Sequence, residues 1–329
     1  MTHELLLEAQ GSQPNFNYDL MRPLLQGRVA IEGVTLRTSG QGEMAGFFEN
    51  PKFRQGNFDL LDTNWGDLVR AIDAGWDLRM LPVFIKRKPA YNYLWIRADR
   101  GIQAPRDLEG KTFATVGYGS AISTYTRGFL QHDHGVDIGT LRWLVSSADP
   151  FAVYDPDISI QIAQGPAKSP AQRLLDGEVD ASTGDIVDPK TWAALEGSPN
   201  VRRMFPDYKQ RNVALIADHR ILTPVHLICV GGRLERADPG LARRVYEGFD
   251  RAREMAYEDV RGDQTSYSLL IGFREAMRDQ LRQLGDVWRY GIDANRNAVE
   301  RFLQYSFEQG LTKKRLTVEQ TFAQGTLET

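Results

Sequence analysis

The stretch Phe58-Asp59-Leu60-Leu61-Asp62-Thr63-Asn64-Trp65 reads as a short buried strand, Phe58–Leu61, that empties into a polar turn. Asp62, Thr63 and Asn64 offer the side-chain oxygens that cap helix N-termini. Leu68 and Ile72 then share one helix face, and Gly75 stands where a helix C′ residue belongs. This order of strand, polar turn and helix recurs on both sides. Upstream, a strand over Glu4–Ala9 runs into a Pro-, Asn- and Gly-rich loop at Gln13–Asp19, then a helical turn at Met21–Gly27. Val34–Arg37 reads as a strand, and Met44–Phe53 has apolar residues at helical spacing.

Downstream, Met80–Phe84 and Leu94–Arg97 read as strands around a basic, polar turn that includes Lys86, Arg87 and Lys88. Pro105–Gly110 is a one-turn helix. Lys111–Val116 is a strand that enters Gly117-Tyr118-Gly119-Ser120, and a helix starts near Ser120. Leu141–Val145 and Ser159–Ile162 are further strands, and Pro170–Leu175 is a helix stopped by Gly177. Val179–Ala181 empties into Ser182-Thr183-Gly184-Asp185, and His226–Val230 is a strand. Leu241, Val245, Phe249 and Ala252 form one apolar helical stripe. A last helix is expected at Asn295–Gln309 with Ala298, Phe302 and Phe307 inward. Alternating strands and helices predict an α/β fold with largely parallel sheets, whose ligands collect outside the strands' carboxyl ends. Four small or polar turns mark such ends: Asn15–Asp19, Asp62–Asn64, Gly117–Ser120 and Ser182–Asp185.

The 329 residues are enough for two ordinary lobes. Hydrophobic residues at 42% and charged residues at 25% are near the globular average, which excludes disorder as the main state. Forty basic against forty-three acidic residues exclude the basic excess of a nucleic-acid binder. A single cysteine, Cys229, excludes an intramolecular disulfide framework and sits in an apolar run as a core residue. No apolar run is long enough to span a membrane, so no membrane partner is expected. Read as the native start, an amino terminus without a basic n-region or apolar h-region predicts a cytoplasmic protein. A homo-oligomer is neither required nor excluded.

His226 opens a strand where burial alone favours Val or Ile, and imidazole moves protons near neutral pH. The alternative is a histidine bonded at a lobe junction. Asp62, Thr63, Asn64 and Trp65 offer a base, two neutral hydrogen-bonders and an aromatic face; the alternatives are helix capping and, for Trp65, the core. Gly117, Tyr118, Gly119 and Ser120 offer backbone N–H groups at a helix start, which favour a carboxylate. Tyr18, Asp19 and Arg22 follow the first strand, and Arg22 could clamp a carboxylate or form a surface ion pair. Thr183, Gly184 and Asp185 offer a second acid or a solvated loop. His132 and His134 flank Asp133 at a spacing that does not share a helix face, so no metal site is expected.

Several strings then stand in a familiar order. They are Pro82-Val83-Phe84, Ile96-Arg97-Ala98-Asp99-Arg100-Gly101-Ile102, Pro105-Arg106-Asp107-Leu108-Glu109-Gly110-Lys111, Gly177-Glu178-Val179-Asp180-Ala181, Met204-Phe205-Pro206-Asp207, Pro224-Val225-His226-Leu227 and Trp288-Arg289-Tyr290-Gly291-Ile292. From about Asn17 to Phe322 the chain resembles the 4,5-dihydroxyphthalate decarboxylase family. The resemblance implies a two-lobed type 2 periplasmic-binding-protein-like fold with two crossover strands and an interlobe cleft. Lobe 1 would hold residues 1–97 and 226–329, and lobe 2 residues 98–225. It also implies His226 as the counterpart of the family's histidine. Ala90-Tyr91-Asn92 stands where the family carries an Arg-His pair, which makes Tyr91 and Asn92 candidate substrate contacts.

The function implied is decarboxylation of a hydroxylated aromatic acid without cofactor or metal. Loss of CO₂ leaves charge on a ring carbon, which a general acid must protonate, while a base takes a ring hydroxyl's proton. His226, Asp62 and Asp185 are the candidate acid and base; the Gly119–Ser120 turn and Arg22 are candidates to hold a carboxylate. The alternatives are the substrate-binding protein of an ABC-type uptake system for such an acid, and another ring-acid lyase or hydrolase on the same scaffold.

Overall fold

The computed structural model describes residues 3–10, 18–40, 46–184, 188–261 and 272–329. The chain divides into two compact units. Unit 1 holds Met1–Arg87, Leu215–Glu300 and Leu316–Thr329; unit 2 holds Lys88–Ala214 and Arg301–Arg315. Unit 1 carries strands β1 (His3–Ala9), β2 (Val34–Thr38), β3 (Leu60–Asn64), β4 (Leu78–Met80) and β5 (Lys86–Arg87). Unit 2 carries β6 (Trp95–Arg97), β7 (Thr112–Thr115), β8 (Arg142–Val145), β9 (Ser159–Ile162), β10 (Ala181–Ser182) and β11 (Val201–Arg203). From far along the chain, β12 (Pro224–Gly231) returns to unit 1.

The unit 1 sheet runs β2-β1-β3-β12-β4, with β5 beside β12. β1 pairs parallel with β2 and β3, whereas β12 is antiparallel to β3, β4 and β5. The run Leu227-Ile228-Cys229-Val230 is fully buried because it fills a strand flanked on both edges. Burying such side chains stabilises by about 1.5–3 kcal/mol each. The unit 2 sheet runs β11-β6-β10-β7-β8-β9. β10, β7, β8 and β9 pair in parallel, and β6 is antiparallel to both β10 and β11. Trp95, Ala114, Leu174, Val179, Leu195 and Val201 form a core cluster in this unit.

Four differences from the expected layout have local causes. β6 hydrogen-bonds between β10 and β11, so the boundary falls after Arg87 rather than after Arg97. Residues 301–315 join unit 2, where Tyr305 lies against Gly128 so closely that an added Cβ would enter its ring. The strand expected at Met80–Phe84 ends at Met80, because Pro82 has no N–H to continue a ladder. Leu81 N–H still reaches the Ile228 carbonyl at 2.8 Å. Phe307 is 43% exposed rather than inward. At about 100° per residue it lies about 180° around the helix Ile292–Glu308 from Ala298, and buried Tyr305 takes the inner place.

Candidate active site

In unit 1 the polar residues expected as a turn are the end of β3 itself. The strand register sets Asn64 opposite His226 and Asp62 opposite Ile228. Side chains two apart on a strand share a face, so Asp62, Asn64 and His226 emerge together. His226 Nδ1 lies 2.8 Å from Asp62 Oδ1. The Asp62 side chain is 3% exposed and that of His226 14%. A carboxylate can only accept, so Nδ1 carries the proton of this bond. Nε2 of His226 has no hydrogen-bond partner among the described residues. The ring is thus held in one tautomer with its other nitrogen available to take or give a proton.

The neighbours of this pair are fixed by other means. The Thr63 hydroxyl donates to the Gln10 side-chain oxygen, and Gln10 N–H donates to the Asp62 carbonyl at 2.9 Å. Gln10 has no signal in the sequence beyond following the first strand. The Asn64 side chain accepts the Gly66 N–H at 3.0 Å and caps the helix Trp65–Asp73. Trp65, expected to face a ligand, is fully buried with its ring edge-on to Phe84 at 5.9 Å. It is therefore a core residue, the alternative its sequence position also offered. Cys229 is also fully buried, and burial pushes its thiol well above the ordinary range, the Asp62 charge adding to it. Arg87, expected in a solvated basic turn, is 7% exposed and donates to the carbonyls of Leu222 and Arg289.

Tyr18 and Asp19 line a different part of unit 1, an aromatic cavity that neither Asp62 nor His226 borders. Arg22 makes the surface ion pair, donating to Asp19 with both side chains exposed. No carboxylate clamp is needed to account for it.

Unit 2 brings the two remaining groups into one region of its sheet. Ser120 occupies the N-cap of the helix Ala121–His132, but its side chain caps nothing; its hydroxyl donates to Ser123 Oγ at 2.8 Å. Ser123 in turn bonds Thr115. The expected anion-binding donors are partly engaged within the protein. Gly119 N–H reaches Asp149 Oδ2 at 3.4 Å and Ser120 N–H reaches the Gly117 carbonyl at 3.3 Å. Tyr118 is 1% exposed, with the Arg127 guanidinium 3.7 Å from its ring centroid and Trp143 edge-on at 5.7 Å. It packs the unit, and burial raises its phenol above the usual range.

Thr183 is 2% exposed; its N–H donates to the Ala114 carbonyl at 3.1 Å, and its hydroxyl lies 3.3 Å from that of Thr126. Gly184, at φ +153°, continues from it. Both line a cavity of about 130 Å³ with Tyr93, Val116, Ser169 and Ser182. Asp185 lies outside the described residues. Tyr91 and Asn92 are held by unit 2 itself. Tyr91 stacks on Phe129 at 5.6 Å and meets Phe205 edge-on, and Asn92 accepts from Asn212 at 2.8 Å. Burial pushes the Tyr91 phenol up to about 12. His132 bonds Glu308 at 2.6 Å and His134 stacks on Phe205. Among the described residues no three His, Cys, Asp or Glu side chains are grouped to hold a metal ion. No helix among them is long and apolar enough to cross a membrane.

Compared with known proteins, the chain is 28% identical over 324 residues to 4,5-dihydroxyphthalate decarboxylase of Comamonas testosteroni, covering 95% of this chain and 96% of the relative. It is 26% identical over 199 residues to the protein of the same name from Pseudomonas putida, covering 58% and 75%. No family model matches. Among solved structures, the periplasmic sulfonate-binding protein SsuA of Methylobacillus flagellatus superposes with a TM-score of 0.57 at 12% identity, covering 98% of this chain and 91% of that one. The aliphatic sulfonate-binding protein of Escherichia coli gives 0.52 at 15%, covering 99% and 94%. A Candida albicans protein described as having the generic periplasmic binding protein fold gives 0.52 at 11%, covering 95% and 92%. The chain therefore has the periplasmic-binding-protein-like α/β fold, and along nearly its whole length it resembles the 4,5-dihydroxyphthalate decarboxylases.

Proposed function

We propose that the chain is a cofactor-independent decarboxylase of a hydroxylated aromatic carboxylic acid, with His226 as its proton-transfer group and Asp62 as the residue that orients it. The observation that carries this reading is the pair itself: a buried carboxylate bonded to Nδ1 of an imidazole whose Nε2 is unclaimed by any described residue. The relatives named as decarboxylases supply the reaction class. The fold neighbours support the scaffold alone.

The reaction asks for proton transfers. A base takes the proton of a ring hydroxyl ortho or para to the carboxylate. The bond between ring carbon and carboxylate then breaks, CO₂ departs, and the electron pair stays on the ring carbon. Nε2–H of the His226 imidazolium delivers a proton to that carbon. The base then returns its proton to the ring oxygen, so one proton is consumed overall and hydrogen replaces the carboxylate. Asp62, bonded at Nδ1, keeps the ring oriented through these transfers. Asp185 is kept as the second acid of this proposal, and Ser120, Thr183 and Gly184 as substrate contacts. The reading includes a small aromatic acid as substrate and a cytoplasmic enzyme; fractionation of the native host's cells tests the location.

The deciding experiment measures CO₂ release across a panel of hydroxylated benzoates and phthalates, with His226→Asn alongside. Turnover of at least one acid, lost in the variant, supports the proposal. Tight binding of an acid that is recovered unchanged would overturn it in favour of a solute receptor.

A further inference from the structure

The His226–Asp62 pair places a buried acid next to the proposed proton-transfer group, so a substrate carboxylate brought there is repelled unless a cation stands beside it. The strand register supplies one. His226 is paired on one side with Asn64 of β3 and on the other with Lys86 of β5. The β5 ladder shifts between Pro224 and His226, which sets Arg87 opposite Pro224 and Lys86 opposite His226. Arg87 is buried, donates to the carbonyls of Leu222 and Arg289, and lies 5.0 Å from the Phe84 ring centroid. Successive side chains of a strand face opposite ways, so the half-buried Lys86 shares the face of His226. Directly opposed residues of an antiparallel pair hold their Cβ atoms about 4.5–5.5 Å apart. Among the described strand residues, Arg79 is the other Lys or Arg on this face. It pairs with Val230, about 13 Å further along β12, and donates to the Leu78 carbonyl.

We infer that Lys86 is a substrate-binding residue of this site, whose ammonium group holds a carboxylate of the aromatic acid beside His226. This rests on the reading of His226 and Asp62 as the substrate site. A lysine is a point charge on a flexible stem, so it selects for a negative charge more than for one shape of acid. Arg22, the residue expected to clamp the carboxylate, is engaged with Asp19 at the surface.

The test titrates 4,5-dihydroxyphthalate, the acid in the relatives' name, and catechol into His226→Asn, where the acid is not consumed. The two probes share a pair of adjacent hydroxyls and differ by two carboxylates. Adding Lys86→Met, which keeps the stem and removes the charge, is expected to weaken the phthalate about 10–100-fold, the scale of one charge-assisted hydrogen bond. Catechol should be unaffected, and the urea midpoint should stay near that of the parent variant. Lys86→Arg, which restores the charge, should recover most of the loss. Arg79→Met, which removes a distant charge from the same face, should cost little. Phthalate binding that is absent from His226→Asn, undiminished by Lys86→Met, or weakened as much by Arg79→Met would each overturn the inference, as would an equal loss for catechol. The lysine and the reaction fail separately. If no acid releases CO₂ while phthalate binding follows this pattern, the reaction falls and the role of Lys86 stands. If an acid releases CO₂ with a KM that Lys86→Met leaves unchanged, the reaction stands and the role of Lys86 falls.

Discussion

His226 and Asp62 depend on one another, which decides how either can be tested. Asp62 is 2% exposed, and no other side chain donates to it among the described residues. His226→Ala would strand a buried acceptor, at a cost of about 1–3 kcal/mol, and a lowered melting temperature would then obscure any chemical effect. Asn is the better replacement, because its amide can donate where Nδ1 did while offering nothing that titrates. We expect His226→Asn to lower turnover about 10²–10⁴-fold while its urea midpoint stays near wild type. Normal turnover in the folded variant would make His226 a structural histidine. The histidine was legible in the sequence, because a strand start otherwise written in Leu, Ile and Val is a poor place for imidazole. Its bond to Asp62 was not, since strand register joins residues 164 apart in the chain and no spacing rule reaches that far.

Among the elements, the helix Trp65–Asp73 tests whether Asn64 serves the fold or a ligand. Its side chain accepts the Gly66 N–H. Asn64→Ala is expected to cost about 1 kcal/mol in chemical denaturation, and Asn64→Asp close to nothing, since aspartate caps as well as asparagine. A second test is Gly128, where the helix Ala121–His132 meets Tyr305. Gly128→Ala normally favours a helix, but here the methyl group overlaps a buried ring. We expect a loss of about 1–3 kcal/mol from overpacking, measured as a lower urea midpoint. Elements with a clear period or stop signal were read well: Ser159–Ile162 and Pro170–Leu175 appear as expected. The helices Pro189–Gly197, Tyr208–His219 and Phe273–Leu284 were not anticipated. Phe273–Leu284 buries only Leu284 fully, so its sequence is dominated by solvent-facing residues that hide an apolar stripe. The aromatic residues beside polar turns were the least legible: Trp65 takes the core place that was its alternative to a ligand contact, and Tyr118, expected beside a ligand, is buried as well.

For the whole molecule, charge and burial set a stability profile with two flanks. Asp77, Asp238 and Asp259 are held below the usual carboxylate range chiefly by hydrogen bonds from Arg236, Arg244 and Arg28. A depressed folded-state value means stability that is present above the unfolded value, about 4, and is lost as pH falls below it. Tyr91 and Tyr305 are pushed up to about 12 by burial. Above about pH 10 the unfolded phenols ionise while the folded ones do not, so stability falls as pH rises from there toward 12. We therefore expect melting temperature to fall below about pH 4 and again above about pH 10, with little contribution from these groups in between. A decline centred between pH 6 and 8 would show that other groups control it.

The assembly of unit 1 from three stretches of chain has a consequence for its birth on the ribosome. β3 emerges early, yet its neighbour β12 is translated more than a hundred residues later, after most of unit 2. Until then the β3 edge that β12 will cover has no partner, and the Asp62 carboxylate has no imidazole. Residues 88–214 form one uninterrupted run that can begin to collapse while synthesis continues, whereas the proton-transfer pair can be completed only after residue 226 has left the exit tunnel. A nascent chain arrested before that point would carry much of the second sheet and none of the proposed chemistry.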